Sequence, residues 1–239
     1  IINLDDDGCA RMSAHVPSEL RLLTVATDRP ADICVRGVEL SLQRARFELL
    51  SPWGNRCCEL PIPGRHNVSN ALGAAAAALS LGISLDHVVA GLTGFGGVPG
   101  RLEAMQLGQP FAVFVDYAHT DDALRHCLRT LRPVTDGRLI CVFGAGGDRD
   151  RQKRPKLGAA ALEADVAIVT SDNPRCENPR QIIDEIVAGM TGAAQVPLIE
   201  PDREVAIRQA IEMARPGDCV VIAGKGHERE QIVGASKLP

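Results

Sequence analysis

Residues 139–155 read LICVFGAGGDRDRQKRP, and the change of character along this stretch decides the fold. An apolar run, Leu139–Phe143, breaks into Gly144, Ala145, Gly146 and Gly147, then into Asp148, Arg149, Asp150 and Arg151, and then into residues able to start a helix. The pattern is strand, tight loop, helix entry. Glycines let backbone amides approach a ligand and a helix N-terminus favours negative charge, so the turn is expected to cradle a carboxylate or phosphate. It is not a nucleotide fingerprint, because GxGxxG is absent and no GxxxxGK[ST] loop occurs in the 239 residues.

The same alternation continues on both sides. Apolar runs at residues 111–115, 166–170 and 219–223 are separated by helical patterns at residues 121–131, 153–163, 179–190 and 203–214. Regular β and α segments of this length imply an α/β class with a mostly parallel, doubly wound sheet, Rossmann-like in its winding. Ligands of such sheets sit outside the carboxyl ends of the strands. Four loops are therefore expected to converge there: residues 116–120, 144–150, 171–175 and 224–228.

The earlier part of the chain reads differently. Residues 1–3 resemble the tail of a strand, and short β-like runs at residues 22–27, 33–40 and 45–51 predict a small antiparallel region. PIPGRHNVSNALGAAAAALSLG then predicts a helix running to about Leu81, with Asn67 as its cap and Asn70 one turn further along the same face. A second helix is expected at residues 85–92. Gly91, Gly94, Gly96, Gly97, Pro99 and Gly100 follow within ten positions and mark a hinge, giving domains of residues 1–98 and 99–239.

Composition narrows the function classes. Hydrophobic residues make up 45% but aromatics only 3%, so the core is aliphatic and an aromatic nucleic-acid platform is not indicated. The formal charge of −4 gives a polyanion partner no overall support. Eight cysteines without a CxxC pair argue against a zinc site or disulfide framework and for a reducing, cytoplasmic setting. The longest apolar stretch, residues 71–79, is too short to span a bilayer.

On the four loops, each candidate has a plain alternative. Residues 148–151 are either a solvated helix entry or a place where Arg149 meets a carboxylate through two parallel hydrogen bonds. Ser171, Asp172, Asn173, Pro174 and Arg175 form either an Asx-Pro turn or a recognition loop. Arg149 and Arg175 on neighbouring loops suggest a double arginine clamp. Gly224 to Glu228 is a turn with an exposed histidine, or else Glu228 binds an ammonium and the Gly224 carbonyl accepts a hydrogen bond. Asp116 and His119 end another strand and are candidates for nucleotide contact, as is Arg101, whose alternative is a plain surface charge.

Taken in order, GRHNVSNAL, PGRLE, VDYAHT, VFGAGGDRDRQKRP, SDNPR and AGKGHE resemble the Mur ligase family across nearly the whole chain, most closely its diaminopimelate-adding, MurE-type branch. The resemblance implies the later part of a central ATP-binding domain followed by a Rossmann-like C-terminal domain. It implies an ATP- and Mg2+-dependent ligase that joins meso-diaminopimelate to UDP-MurNAc-L-Ala-D-Glu through an acyl phosphate, in peptidoglycan precursor synthesis, as a cytoplasmic monomer. By the family pattern Arg175 with Arg149 and Asn173 reads the far carboxylate of diaminopimelate, Gly224 and Glu228 hold its ammonium, and Asp172 and Pro174 belong to the same diaminopimelate-binding set. Asn67 and Asn70 fall at adenosine contacts, Arg101 at phosphate, and Asp116 and His119 near the ribose. The family's uridine-nucleotide domain, GKT loop and upstream magnesium ligands do not occur in these residues, so no catalytic or metal residue is assigned and the chain is expected to be partial and inactive alone. Alternatives are another branch, of folylpolyglutamate or cyanophycin type, or a non-catalytic binding module.

Overall fold

A computed structural model describes residues 1–192 and 196–238. The chain divides into two compact units, Ile1–Gly97 and Val98–Pro239.

The first unit is built on one five-stranded sheet in the order β1-β2-β3-β4-β5, with β1 at Ile2–Asn3, β2 at Thr24–Ala26, β3 at Ile33–Leu40, β4 at Ala45–Ser51 and β5 at Gly54–Leu60. The expected antiparallel region is only half of it: β3, β4 and β5 are antiparallel, but β1, β2 and β3 run parallel. A short helix α1, Asp7–Ser13, joins β1 to β2 and buries none of its residues. Helix α2, Arg65–Ser80, buries Val68, Ala71, Leu72, Ala75, Ala76 and Leu79, the 3–4 spacing of one helical face. These pack with Val25, Ile33, Phe47, Leu49 and Leu60 of the sheet, and the alanines keep the helix close to the strands. Helix α3, Leu85–Thr93, follows, capped by Ser84.

The N-terminus of α2 corrects one expectation. Its cap is Gly64 at φ 99°, without a side-chain cap bond. Asn67 instead lies inside the first turn and its Nδ2 donates to the Pro63 carbonyl at 2.7 Å, since Pro63–Gly64 turns the chain too sharply for the cap to fall later.

The second unit holds a six-stranded sheet. Its strands are β6 (Glu103–Ala104), β7 (Ala112–Asp116), β8 (Leu139–Phe143), β9 (Val166–Val169), β10 (Leu198–Ile199) and β11 (Cys219–Ala223), in the order β10-β9-β8-β11-β7-β6. All pairs are parallel except β6 with β7. Helices α4 (Asp121–Leu131), α5 (Lys153–Ala161) and α6 (Pro179–Val187) pack side by side, while α7 (Arg203–Met213) packs on β8, β9 and β11. Ala206 and Ala210 of α7 meet Val113, Ile140, Val142, Ile168 and Val220 in the core. The chain winds one way from β7 through β8 and β9 to β10, then returns to insert β11 between β8 and β7. With right-handed crossovers that reversal puts α7 on the sheet face opposite α4, α5 and α6, and ligands of such sheets sit outside the carboxyl ends of the strands. A hairpin of β12 (Gln231–Val233) and β13 (Ser236–Leu238) ends the described chain.

Candidate functional site

The four loops meet around a cavity of about 350 Å³ at the carboxyl ends of the strands, lined among others by Tyr117, His119, Arg149, Asp172, Arg175 and Glu228. A larger cavity of about 640 Å³ lies near the start of β8 and β9, beside Arg138, Asp165 and Met213. Its charges are already committed, Arg138 to Asp218 and Asp165 to Arg132 and the Leu139 amide. The chemistry therefore belongs to the smaller cavity.

The glycine turn after β8 packs tightly against the loop after β9. A Cβ on Gly144 would lie 2.3 Å from the Thr170 carbonyl oxygen and one on Gly147 1.8 Å from that of Pro174. The Gly147 amide donates to the Asn173 carbonyl at 2.8 Å. The glycines let two loops touch each other, and the Gly147 amide is taken by that contact. The entry to α5 is likewise occupied, because Asp150 Oδ1 accepts from the Gln152 amide at 3.0 Å. What the turn does present is side chains. A Cβ on Gly146 would meet Arg175 Nη1 at 2.9 Å and Arg149 Cγ at 3.8 Å, so the two arginines flank one glycine on one wall of the cavity.

The loop after β9 is held in an uncommon conformation. Arg175 has φ 51°, and with Leu102 at 43° and Asp148 at 52° it is one of three described non-glycine residues at positive φ, all in loops of this unit. Such a residue costs about 1–3 kcal/mol and persists where its surroundings over-determine it. Here Arg175 Nη1 donates to the Gly147 carbonyl at 2.6 Å. Asn173 is a hub: its Nδ2 donates to Glu228 Oε2 at 2.9 Å, and its Oδ1 accepts from Lys225 Nζ at 2.8 Å and the Ile232 amide at 2.9 Å. Asp172 is buried. Its Oδ1 accepts from the Asn173 amide at 2.7 Å, and its Oδ2 has no hydrogen-bond partner.

Gly224, at φ 110°, brings the third loop against that free oxygen, since a Cβ there would lie 2.8 Å from Asp172 Oδ2. Lys225 Nζ reaches Glu228 Oε2 at 3.1 Å. Partial burial raises the Glu228 pKa, but hydrogen bonds from Asn173 and Lys225 outweigh it and hold the carboxyl below its ordinary value. The cavity thus brings together two guanidinium groups and the carboxyl groups of Asp172 and Glu228 from separate loops. That charge separation suits a ligand with an acid at one end and an ammonium at the other.

Sequence reasoning passed over Arg203. It is the first residue of α7, is 9% exposed, and its Nη2 donates to the Ala223 carbonyl at 2.9 Å while Nη1 has no hydrogen-bond partner. Burial lowers its pKa, and the charges of Asp172 and Glu228 work against that. The available signal was a cation directly after the Asp202 cap, where the helix dipole disfavours it.

Asp116 is buried at the end of β7, with Oδ2 accepting from the Leu102 amide at 2.7 Å and Oδ1 from the Ala118 amide at 2.8 Å. It anchors the loop that carries Arg101, whose guanidinium sits 4.8 Å from the Tyr117 ring centroid. His119 is exposed, hydrogen-bonds the Tyr117 carbonyl at 2.8 Å and meets the Tyr117 ring edge-on at 4.7 Å. In the first unit, Asn70 is exposed on α2 three residues beyond Asn67. Among the described residues, no group of three or more His, Cys, Asp or Glu side chains is placed to hold a metal ion, and no helix is long and apolar enough to cross a membrane.

A parallel α/β unit whose strand-end loops assemble a doubly charged cavity, preceded by a separate mixed-sheet unit, defines a ligand-binding α/β protein of two parts. Residues 100–226 match the family model for the Mur ligase glutamate ligase domain and residues 1–78 that for the Mur ligase middle domain; the chain belongs to the Mur ligase family. It is 47% identical over 100% of its length to UDP-N-acetylmuramoyl-L-alanyl-D-glutamate–2,6-diaminopimelate ligase of Gloeobacter violaceus, covering 48% of that protein. The ligase of the same name from Geobacillus thermodenitrificans is 42% identical over 96% of the chain, which covers 47% of it. A solved structure of a ligase of that name superposes with a TM-score of 0.71 at 38% identity, over 99% of this chain and 49% of that one. MurF from Acinetobacter baumannii, at 23% identity and a TM-score of 0.71 over 95% of this chain and 48% of that one, shares the fold. The chain spans about half the length of the curated relatives it matches.

Proposed function

We propose that this chain serves the ATP-dependent addition of meso-diaminopimelate to UDP-N-acetylmuramoyl-L-alanyl-D-glutamate, a cytoplasmic step of peptidoglycan precursor synthesis. Residues 1–98 act as part of the ATP-binding middle domain and residues 99–239 as the domain that takes the amino acid. ATP supplies the phosphoryl group that activates the dipeptide's carboxylate, and the amine of diaminopimelate displaces phosphate to form the amide. Mg2+ belongs to the family's chemistry, but the described residues offer no fitting ligand set, and no step is assigned to them through it.

In this reading Arg149 and Arg175 pair with the distal carboxylate of diaminopimelate, the group that lysine lacks. Asp172 Oδ2, the Gly224 carbonyl and Glu228 take the ammonium beside it. An unpartnered buried carboxylate oxygen is the kind of group a bound cationic centre satisfies. Asn173 and Pro174 shape the loop between the two charges. Of the nucleotide roles, Arg101 is assigned to phosphate, with Asp116 fixing the loop that aims it and His119 close by; Asn67 and Asn70, on α2, are assigned separately to adenosine.

The observation that carries the reading is the flanking of Gly146 by Arg149 and Arg175 in a cavity that Asp172 and Glu228 also line. Calorimetric titration of the chain with meso-diaminopimelate and with L-lysine tests it. A site built to pair a charged group leaves that pairing unmade when the group is missing, so lysine should bind at least about a hundredfold more weakly. Arg175→Ala should erase most of the difference. Equal affinity for the two amino acids, or no binding of either, would remove the reading.

A further inference from the structure

The hairpin at Gln231–Val233 and Ser236–Leu238 has no part in the roles assigned above, yet it grips the loop that carries Arg175. The Arg175 amide donates to the Ile232 carbonyl at 3.1 Å, and the Arg175 carbonyl accepts from the Gly234 amide at 2.7 Å. Both backbone polar groups of the residue at φ 51° are therefore taken by the hairpin. The Ile232 amide donates to Asn173 Oδ1 at 2.9 Å, and Gln231 Nε2 donates to the Asp172 carbonyl at 2.6 Å. On its other side the same loop is fastened to the glycine turn, through the Gly147 amide on the Asn173 carbonyl and Arg175 Nη1 on the Gly147 carbonyl.

We propose that Gln231 is a positioning residue for amino-acid selection: with the hairpin it opens, it locks residues 172–175 in the conformation that turns the Arg175 guanidinium toward Arg149. The proposal rests on the reading that this cavity accepts diaminopimelate. The physical argument is local. A left-handed arginine reverts to ordinary φ unless its neighbours hold it, and a change in φ at Arg175 swings its whole side chain away from the cavity wall. Gln231 pins the loop three residues upstream of Arg175, at the Asp172 carbonyl, while the hairpin backbone pins Arg175 itself. Selectivity for a distal carboxylate then depends on a side chain that touches no ligand.

The test uses the 239-residue chain and Gln231→Met, which keeps length and removes the donor. Hydrogen exchange read by NMR should show the Arg175 amide exchanging at least about tenfold faster than in the parent. The Kd for meso-diaminopimelate should rise about tenfold, as for one lost hydrogen bond to a site, and by clearly more than that for L-lysine, so that the ratio of the two affinities falls. A merely structural role would weaken both amino acids by the same factor and lower the melting temperature. Unchanged Arg175 exchange with an unchanged ratio of the two affinities overturns the proposal. If Gln231→Met does not fold, Gln231→Glu puts an acceptor opposite the same carbonyl at nearly the same length and should give the same pattern. If the parent binds neither amino acid, the functional reading falls instead, and the exchange rate at Arg175 still decides whether Gln231 holds the loop.

Discussion

Arg154 and Glu177 form a two-pronged ion pair, with Arg154 Nη2 and Nη1 donating to the two carboxylate oxygens at 2.7 and 2.9 Å. Arg154 is 1% exposed and is the largest fully buried side chain described. It also donates to Glu185 at 2.7 Å, tying the start of α5 to α6 and to the segment that follows Arg175. The hydrogen bonds from Arg154, helped by the Asp148 amide, hold the Glu177 carboxyl down to about 2. A carboxylate with a lowered folded-state pKa stabilises the fold above its ordinary value of 4.5 and loses that contribution as pH falls toward 2. Glu177→Gln should cost about 1.5–3 kcal/mol at neutral pH, the range for hydrogen bonds to charged groups. In urea titrations, the parent's stability should decline between pH 4.5 and 2 more steeply than the variant's. Parallel pH profiles would show that the pair contributes little.

Gly147 decides what the glycine turn is for. An alanine Cβ there would lie 1.8 Å from the Pro174 carbonyl oxygen, a distance no repacking of side chains relieves because the obstacle is backbone. Gly147→Ala should therefore push the 144–150 and 171–175 loops apart, cost about 1–3 kcal/mol as overpacking does, and weaken meso-diaminopimelate binding. Gly146→Ala, which meets a flexible arginine end at 2.9 Å, should be milder in stability. Thermal unfolding and calorimetry on the two variants separate these cases. A turn built only to offer amides to an anion would make Gly146 and Gly147 equally sensitive.

Much of this arrangement was legible because β and α periods alternate plainly between residues 111 and 223. Strands Leu139–Phe143 and Cys219–Ala223, and helix Asp121–Leu131, coincide with the apolar runs that predict them. Short pieces escaped for a physical reason. Glu103–Ala104 and Leu198–Ile199 have two residues each, too few to show any period, and α1 buries nothing and so carries no apolar stripe. Gly54–Leu60 reads GNRCCEL, with most of its residues exposed. The parallel half of the first sheet pairs Asn3 with Val25, a contact that local pattern cannot announce. In the site, loop residues were readable from their place after strands. Arg154 and Arg203 were not, because an arginine's usual place is the surface and only the partners around each make its burial affordable.

Asp116 supports two amides that are otherwise buried, those of Leu102 and Ala118. Asp116→Ala strands both donors, at roughly 1–3 kcal/mol each, and releases Leu102 from its positive φ of 43°. Asp116→Asn keeps one acceptor and should lose about half as much. If Arg101 is aimed by this anchor, Asp116→Ala should also weaken ATP binding while leaving meso-diaminopimelate affinity within about twofold, a split that fluorescence titration with each ligand measures. Loss of stability with ATP affinity intact would detach Arg101 from the nucleotide.

The cysteines report on the fold independently of any ligand. Burial pushes the thiol of Cys58 up to about 11 and those of Cys141 and Cys219 up to about 12, while Cys57 and Cys176 are exposed. Since the thiolate is the reacting form, the buried three are doubly protected, by access and by ionisation. At pH 8, a chromogenic disulfide reagent should modify Cys57 and Cys176 first and reach Cys58, Cys127, Cys141 and Cys219 only as the chain unfolds. Cys176 directly follows Arg175, so meso-diaminopimelate bound at the arginine pair should slow its modification several-fold and leave Cys57, on β5 of the other unit, unchanged. Mass spectrometry of the labelled peptides gives both rates in one experiment, and equal slowing at the two cysteines would mean that the amino acid does not bind beside Arg175.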